Sequence, residues 1–241
     1  MNRVAIVTGA GKRVGWVLAE GLVKDGWTVV AHVRRPEDRV PEGAIKAVAD
    51  LSEADCARSI LAACPSAPCL LINNAARFAH DDLASPSAEE LHRHMAVNVA
   101  APALLTSAFV DAGGEGDRLI VNILDAKLAA PNPDYLSYTL SKAALAALTE
   151  ISAQALSERG VRVNAVAPAL MLLSDGQTET NFAAAHAFNP LGRGLTPADV
   201  LRAVQFFLDS PTLTGEVLTL DGGQRFWRLS RDVQFLDLKH E

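Results

Sequence analysis

Short apolar runs rich in Val, Ile and Leu recur along the chain, the first being Val4-Ala5-Ile6-Val7. A run without polar alternation is what a parallel strand buried on both faces requires. The pattern predicts strands near 3–8, 27–33, 44–49, 68–73, 117–123, 161–167 and 216–220. Between them, apolar residues spaced three and four apart predict helices near 14–25, 53–63, 88–111, 137–159 and 197–209. Strands alternating with helices predict an α/β fold: a doubly wound parallel sheet covered by helices on both faces, with ligands at the carboxyl ends of its strands. No linker or repeat interrupts the pattern, so residues 1–241 are expected to form one domain. The segment Ala169–Leu195 is long and low in regular pattern, as lids often are. The tail 224–241 mixes Phe226, Trp227, Phe235 and Leu236 with charges; it either borders the site or docks on a neighbouring subunit.

The first strand leads into Thr8-Gly9-Ala10-Gly11-Lys12-Arg13-Val14-Gly15, and a helix follows. A glycine turn between first strand and first helix lets backbone N–H groups approach a pyrophosphate, and the helix N-terminus favours its charge. The second strand ends in Val33-Arg34-Arg35 where an NAD-binding chain usually places an acid for the ribose hydroxyl. Guanidinium groups suit a phosphate instead. With Lys12 and Arg13 nearby, the expected cofactor is NADP(H).

Tyr138 and Lys142 stand four apart on a predicted helix, which puts them on one face. A free phenol has a pKa of about 10, and a nearby ammonium lowers it. A phenol so tuned can exchange a proton while a hydride moves. Asn98 lies mid-helix among apolar neighbours, where a polar amide calls for a purpose. Asp125 follows a strand and precedes this pair.

These residues, in this order, resemble the short-chain dehydrogenase/reductase family along nearly the whole chain. The resemblance rests on Thr8-Gly9 with Gly15, Asn73-Asn74-Ala75, Asn98, and Tyr138 with Lys142. It extends through Asn164-Ala165-Val166-Ala167-Pro168 and from Thr214-Gly215 to Asp221-Gly222-Gly223. It implies catalytic roles for Asn98, Asp125, Tyr138 and Lys142. It implies a cofactor site of Gly9, Gly11, Lys12, Arg13, Val14, Gly15, Arg34, Arg35, Asp50, Leu51, Asn74, Ala75, Ala76, Tyr138, Lys142 and Pro168, with Asp50 at the adenine. It also implies a homotetramer or homodimer that uses the alanine-rich helix around Ala143–Leu148.

The departures narrow the resemblance. Arg13 replaces the middle glycine of the turn, Ala76 the glycine after Asn-Asn-Ala, and Asp125 the usual serine. Lys12-Arg13, Phe78 and Asp125 look like the pteridine reductase branch. There the substrate would be a reduced pterin, held by Phe78, Asp125, Tyr138 and Arg13. The alternatives are a carbonyl reductase of another ketone and a non-catalytic dinucleotide-binding sensor.

Composition trims the remaining possibilities. A net charge of −6 argues against nucleic acid as a partner. Cys56, Cys64 and Cys69 show no paired motif spacing, which suits reduced thiols. No leader pattern opens the chain and no apolar run is long enough for a bilayer, so a cytoplasmic enzyme is expected. His92 and His94 are two apart on a helix and face different directions, so no metal site is expected.

Overall fold

In the computed structural model, which describes residues 3–173 and 177–236, seven strands form one parallel sheet. They are β1 Val4–Val7, β2 Thr28–Val33, β3 Ile45–Val48, β4 Leu70–Asn73, β5 Arg118–Ile123, β6 Val161–Pro168 and β7 Val217–Leu220. Their order is β3-β2-β1-β4-β5-β6-β7; six lie within the segments that the apolar runs predict, and β6 runs one residue past its segment, to Pro168. The chain winds outward from β1 in one direction and returns to β4 to wind in the other. The carboxyl ends of β1 and β4 therefore flank the switch point, where such sheets bind ligands.

Side chains of successive strand residues point to opposite faces, and the core divides accordingly. Ala5 and Val7 join a buried cluster with Leu18 and Leu22 of helix α1 (Arg13–Lys24) and Val204 and Phe207 of α7 (Pro197–Leu208). Val4 and Ile6 face the other way, with Ile60 of α2 (Cys56–Leu61) and Leu105 and Phe109 of α4 (Ala101–Asp111). Each such side chain, fully buried, stabilises the fold by about 1.5–3 kcal/mol before chain entropy is counted.

Three helical expectations need correction. The stretch 88–111 is not one uniform helix: α3 (Ala88–Met95) passes through a wide π-helical turn, Ala96–Ala100, before α4. Asn98 sits in that turn, where its side chain serves other backbone groups. The second helix is much shorter than 53–63. The segment 169–195, taken as unpatterned, contains α6 (Glu179–Ala187), capped by the Thr178 hydroxyl on the Asn181 amide at 3.2 Å. Parts of two expected features, 174–176 of that segment and 237–241 of the tail, lie outside the described residues. Among the described residues no helix is long and apolar enough to cross a membrane.

Candidate active site

The glycine turn is fixed by close approach of backbone to backbone. Gly9 has a φ of +67° and lies against Ala75. A Cβ on Gly15 would come within 2.2 Å of the Gly9 carbonyl oxygen and 2.6 Å of Asn74 Nδ2. Only glycine lets the start of α1 sit this close to the β1 and β4 ends. The Thr8 hydroxyl binds them together, accepting from the Asn74 and Ala75 amides at 2.9 and 3.0 Å. Asn74 Nδ2 donates to the Thr8 carbonyl at 2.8 Å.

Buried His32 was not among the expected site residues, yet it braces the turn from β2. Its Nδ1 accepts from the Gly9 amide at 3.1 Å, so Nε2 carries the proton donated to the Ala49 carbonyl at 3.0 Å. Burial lowers its pKa and keeps the ring neutral. Neither bond follows a short sequence spacing, which is why the sequence conceals the role.

The expected cations are not all free to converge. Lys12 and Arg34 are exposed beside the turn. Arg13, at a φ of +55°, turns to the segment after β6 and donates to the Leu173 carbonyl at 2.8 Å. Arg35 lies 4.0 Å from Glu37. Asp50 follows β3; bonds from Ser52 lower its pKa, and the charge of Arg34 adds to this. Leu51 is buried behind it, while Val14, Ala75 and Pro168 line the ends of α1, β4 and β6. Ala76 is exposed, so the backbone there is left bare.

On the other side of the switch point lies α5 (Leu136–Leu156), which presents Tyr138 and Lys142 toward the end of β5. The Tyr138 hydroxyl donates to Asp125 Oδ2 at 2.9 Å. Asp125 Oδ1 accepts from the Lys127 amide at 2.8 Å and caps a short 3-10 turn, so this carboxylate does both jobs. Lys142 Nζ donates to the Ile123 carbonyl at 2.6 Å and sits 5.7 Å from the Tyr138 ring centre. Asn98 Oδ1 accepts from the Arg77 amide at 2.7 Å, and its Nδ2 donates to the Arg77 carbonyl and the Ser141 hydroxyl. Asn98 thus clamps the backbone just before Phe78.

The electrostatics correct the expectation that Lys142 lowers the phenol pKa. Burial raises the Tyr138 pKa well above its usual value, and the charge of Asp125 and its hydrogen bond raise it further. Burial also raises the Asp125 pKa. Burial pushes Lys142 down to about 8, against the opposing pull of Asp125. The phenol therefore holds its proton more tightly than a free one, and burial makes the neighbouring carboxyl easier to protonate than a free one.

Phe78 stands about half exposed at the mouth of this site. Its ring stacks on Tyr135 with centres 4.3 Å apart and meets Tyr138 edge-on at 4.7 Å. The tail, left open by the sequence, packs on this same chain: Phe235 stacks on Tyr135 at 5.9 Å, and Arg231 pairs with Asp134 at 2.8 Å. Among the described residues, no group of three or more His, Cys, Asp or Glu is placed to hold a metal.

A family described as enoyl-(acyl carrier protein) reductase matches residues 9–225, a span that includes the glycine turn, Asn98, Asp125, Tyr138 and Lys142. The chain belongs to the short-chain dehydrogenase/reductase family. It is an oxidoreductase of that family. Among family members, (3R)-3-hydroxyacyl-CoA dehydrogenase of Mus musculus is 31% identical, over 92% of this chain and 96% of that one. Pteridine reductase 1 of Leishmania tarentolae is 30% identical, over 93% and 97%. A crystal structure of FolM alternative dihydrofolate reductase 1 from Brucella suis, in complex with NADP, is 33% identical and aligns with a TM-score of 0.85. That alignment covers 93% of this chain and 96% of the other.

Proposed function

We propose that this chain is an NADPH-dependent reductase of a reduced pterin of the dihydromonapterin, dihydrobiopterin or dihydrofolate type. The observation that carries the reading is Tyr138 bonded to Asp125 beside the exposed ring of Phe78. A serine in place of Asp125 would donate to a carbonyl oxygen. An ionised carboxylate only accepts, so it suits a substrate that presents N–H groups. The open face of Phe78 suits a flat heteroaromatic ring.

The turn fits a dinucleotide. Gly9 and Gly15 let the start of α1 pack against the ends of β1 and β4, which brings a helix N-terminus to the switch point. Lys12 and Arg34 supply exposed positive charge for a 2′-phosphate, and the Brucella suis relative was crystallised with NADP. When bound, the cofactor supplies a hydride. Tyr138 then donates its proton to the substrate nitrogen next to the carbon that is reduced. Asp125 orients the phenol and, once protonated, passes a proton back to it. Lys142 holds its charge beside the ring and is anchored on Ile123. Asn98 keeps Arg77 and Phe78 in place. Arg13 ties the turn to the Leu173 carbonyl, at the end of the stretch that follows β6.

A second reading, reduction of another ketone, is supported by the 31% identity to a hydroxyacyl-CoA dehydrogenase. A steady-state screen of NADPH oxidation against dihydropterins and ketones separates the two. The proposed reading expects dihydropterins to lead by kcat/KM and NADPH to be preferred over NADH. A ketone that outruns every dihydropterin would replace it.

Exposed apolar residues support a homodimer or homotetramer. Leu140 and Ile151 of α5 and Leu104 of α4 stand exposed on one side, and Phe206 of α7 and Val217 of β7 on another. Cys56, Cys64 and Cys69 are all unpaired, which supports a cytoplasmic location.

A further inference from the structure

Tyr135 occupies a left-handed backbone conformation, φ +57° and ψ +54°, immediately before α5. For a bulky residue this conformation is strained and persists only where the surroundings enforce it. The enforcement comes from the end of the chain. The buried Asp134 carboxylate accepts from Arg231 Nε at 2.9 Å and from the Asp232 amide at 2.7 Å. Lys127 donates to the Asp134 carbonyl and lies 3.5 Å from Asp232, so it spans the turn and the tail. Gln234 donates to the Tyr135 hydroxyl. Phe235 stacks on one side of the Tyr135 ring at 5.9 Å, and Phe78 stacks at 4.3 Å. His80 meets both Tyr135 and Phe235 edge-on, at 5.1 and 5.5 Å.

The contacts therefore run without a break from Arg231 and Phe235 through Tyr135 to Phe78, and from Phe78 to the catalytic phenol. We infer that the segment Arg231–Phe235 is a strap that sets the Phe78 ring for stacking on a flat heteroaromatic substrate, with Tyr135, Arg231 and Phe235 as positioning residues. The inference rests on the pterin reading proposed above. Among the described residues, the bonds and ring contacts of this segment reach Lys127, Asp134, Tyr135 and His80, and not the glycine turn or Lys142, so its effect should fall on the substrate ring and not on the dinucleotide.

The test compares Arg231→Ala, Phe235→Ala and the conservative Arg231→Lys with the wild-type chain. Folate is titrated into the protein with NADP⁺ present, and NADPH is titrated alone. Phe235→Ala and Arg231→Ala should each weaken folate binding about three- to ten-fold, the scale of one lost aromatic contact. NADPH affinity should change less than about two-fold. Arg231→Lys should recover part of the loss. For a dihydropterin that turns over, KM should rise more than kcat falls. Wild-type folate affinity in both alanine variants would overturn the inference. So would an equal loss of folate and NADPH affinity with a lowered melting temperature, which marks a general structural role. A wild-type chain that binds folate but reduces no dihydropterin defeats the proposed reaction and leaves the strap to be judged by folate affinity. A wild-type chain that neither binds folate nor reduces a dihydropterin overturns both, and one that reduces a dihydropterin without binding folate leaves the strap to be judged by the dihydropterin KM.

Discussion

The two halves of the site are built by different means. The half proposed for the cofactor, around Thr8, Gly9, Gly15 and Asn74, is close-packed backbone pinned by the Thr8, His32 and Asn74 side chains, at distances that exclude a single methyl group. The substrate half is made of side chains: a buried ammonium, a phenol bonded to a carboxyl, and stacked aromatic rings. The first half is fixed by shape and held by the packing of the sheet. The second keeps titratable groups out of water, which works against stability and is retained where chemistry needs it. If this contrast holds, substitutions in the two halves must fail in different ways.

The largest expected effect is on turnover in the substrate half. Tyr138→Phe removes the proton donor and leaves the ring, so kcat for a dihydropterin should fall by about 10²–10⁴. NADPH affinity should change little. A variant that lost cofactor binding to the same extent would erase the distinction between the halves.

In the cofactor half the failure should be one of fit. Gly15→Ala forces a Cβ into the Gly9 carbonyl and the Asn74 amide. Overpacking of this kind costs about 1–3 kcal/mol, visible as a lower melting temperature and a higher NADPH KM together. Wild-type stability in this variant would mean that the turn yields more easily than its geometry implies.

The smallest effect has the opposite sign. Lys142→Met removes a charge whose burial pushes its pKa down to about 8. Between about 8 and the unfolded value near 10.4 the unfolded chain binds more protons, so stability rises with pH there and the penalty is in full force below pH 8. At pH 7 the methionine variant should therefore gain about 1 kcal/mol, after the bond to Ile123 is lost, while its turnover collapses. The gain should shrink as pH rises toward 10. A methionine variant that is less stable than wild type at pH 7 would show that the lysine's hydrogen bond outweighs the cost of its burial.

Legibility in the sequence follows the same division. The central strands could be read because a strand buried on both faces is rich in apolar residues, Val4–Val7 most plainly, whereas the edge strands β3 and β7 are only partly buried and rest on a weaker pattern. The glycine turn could be read because its residues are neighbours in the chain. Tyr138 and Lys142 could be read because a helix converts a spacing of four into one face. Helix α6 could not, since its Ala183, Ala184 and Ala185 draw no apolar stripe and only the Thr178 cap announces it. The strap could not either: Arg231 and Asp134 are 97 positions apart, and nothing in the local pattern of one refers to the other. The raised pKa of the phenol could not be read, because a spacing of four shows Lys142 and neither the burial nor the bond to Asp125, 13 positions away, that raise it. The role of Asn98 belongs to the same class, since its side-chain partners are the backbone of Arg77 and the hydroxyl of Ser141, 21 and 43 positions away.

The central claim is that Asp125 selects a substrate bearing N–H groups. It is tested most directly by kcat/KM of wild type and Asp125→Ser on a dihydropterin and on a small diketone, with NADPH saturating. The account predicts that Asp125→Ser loses at least about ten-fold on the dihydropterin, as removal of a charge-assisted acceptor should. On the diketone the variant should be equal or faster, because serine donates to a carbonyl oxygen. Dihydropterin reduction at the wild-type rate in Asp125→Ser would contradict it, leaving Asp125 as the cap of a turn.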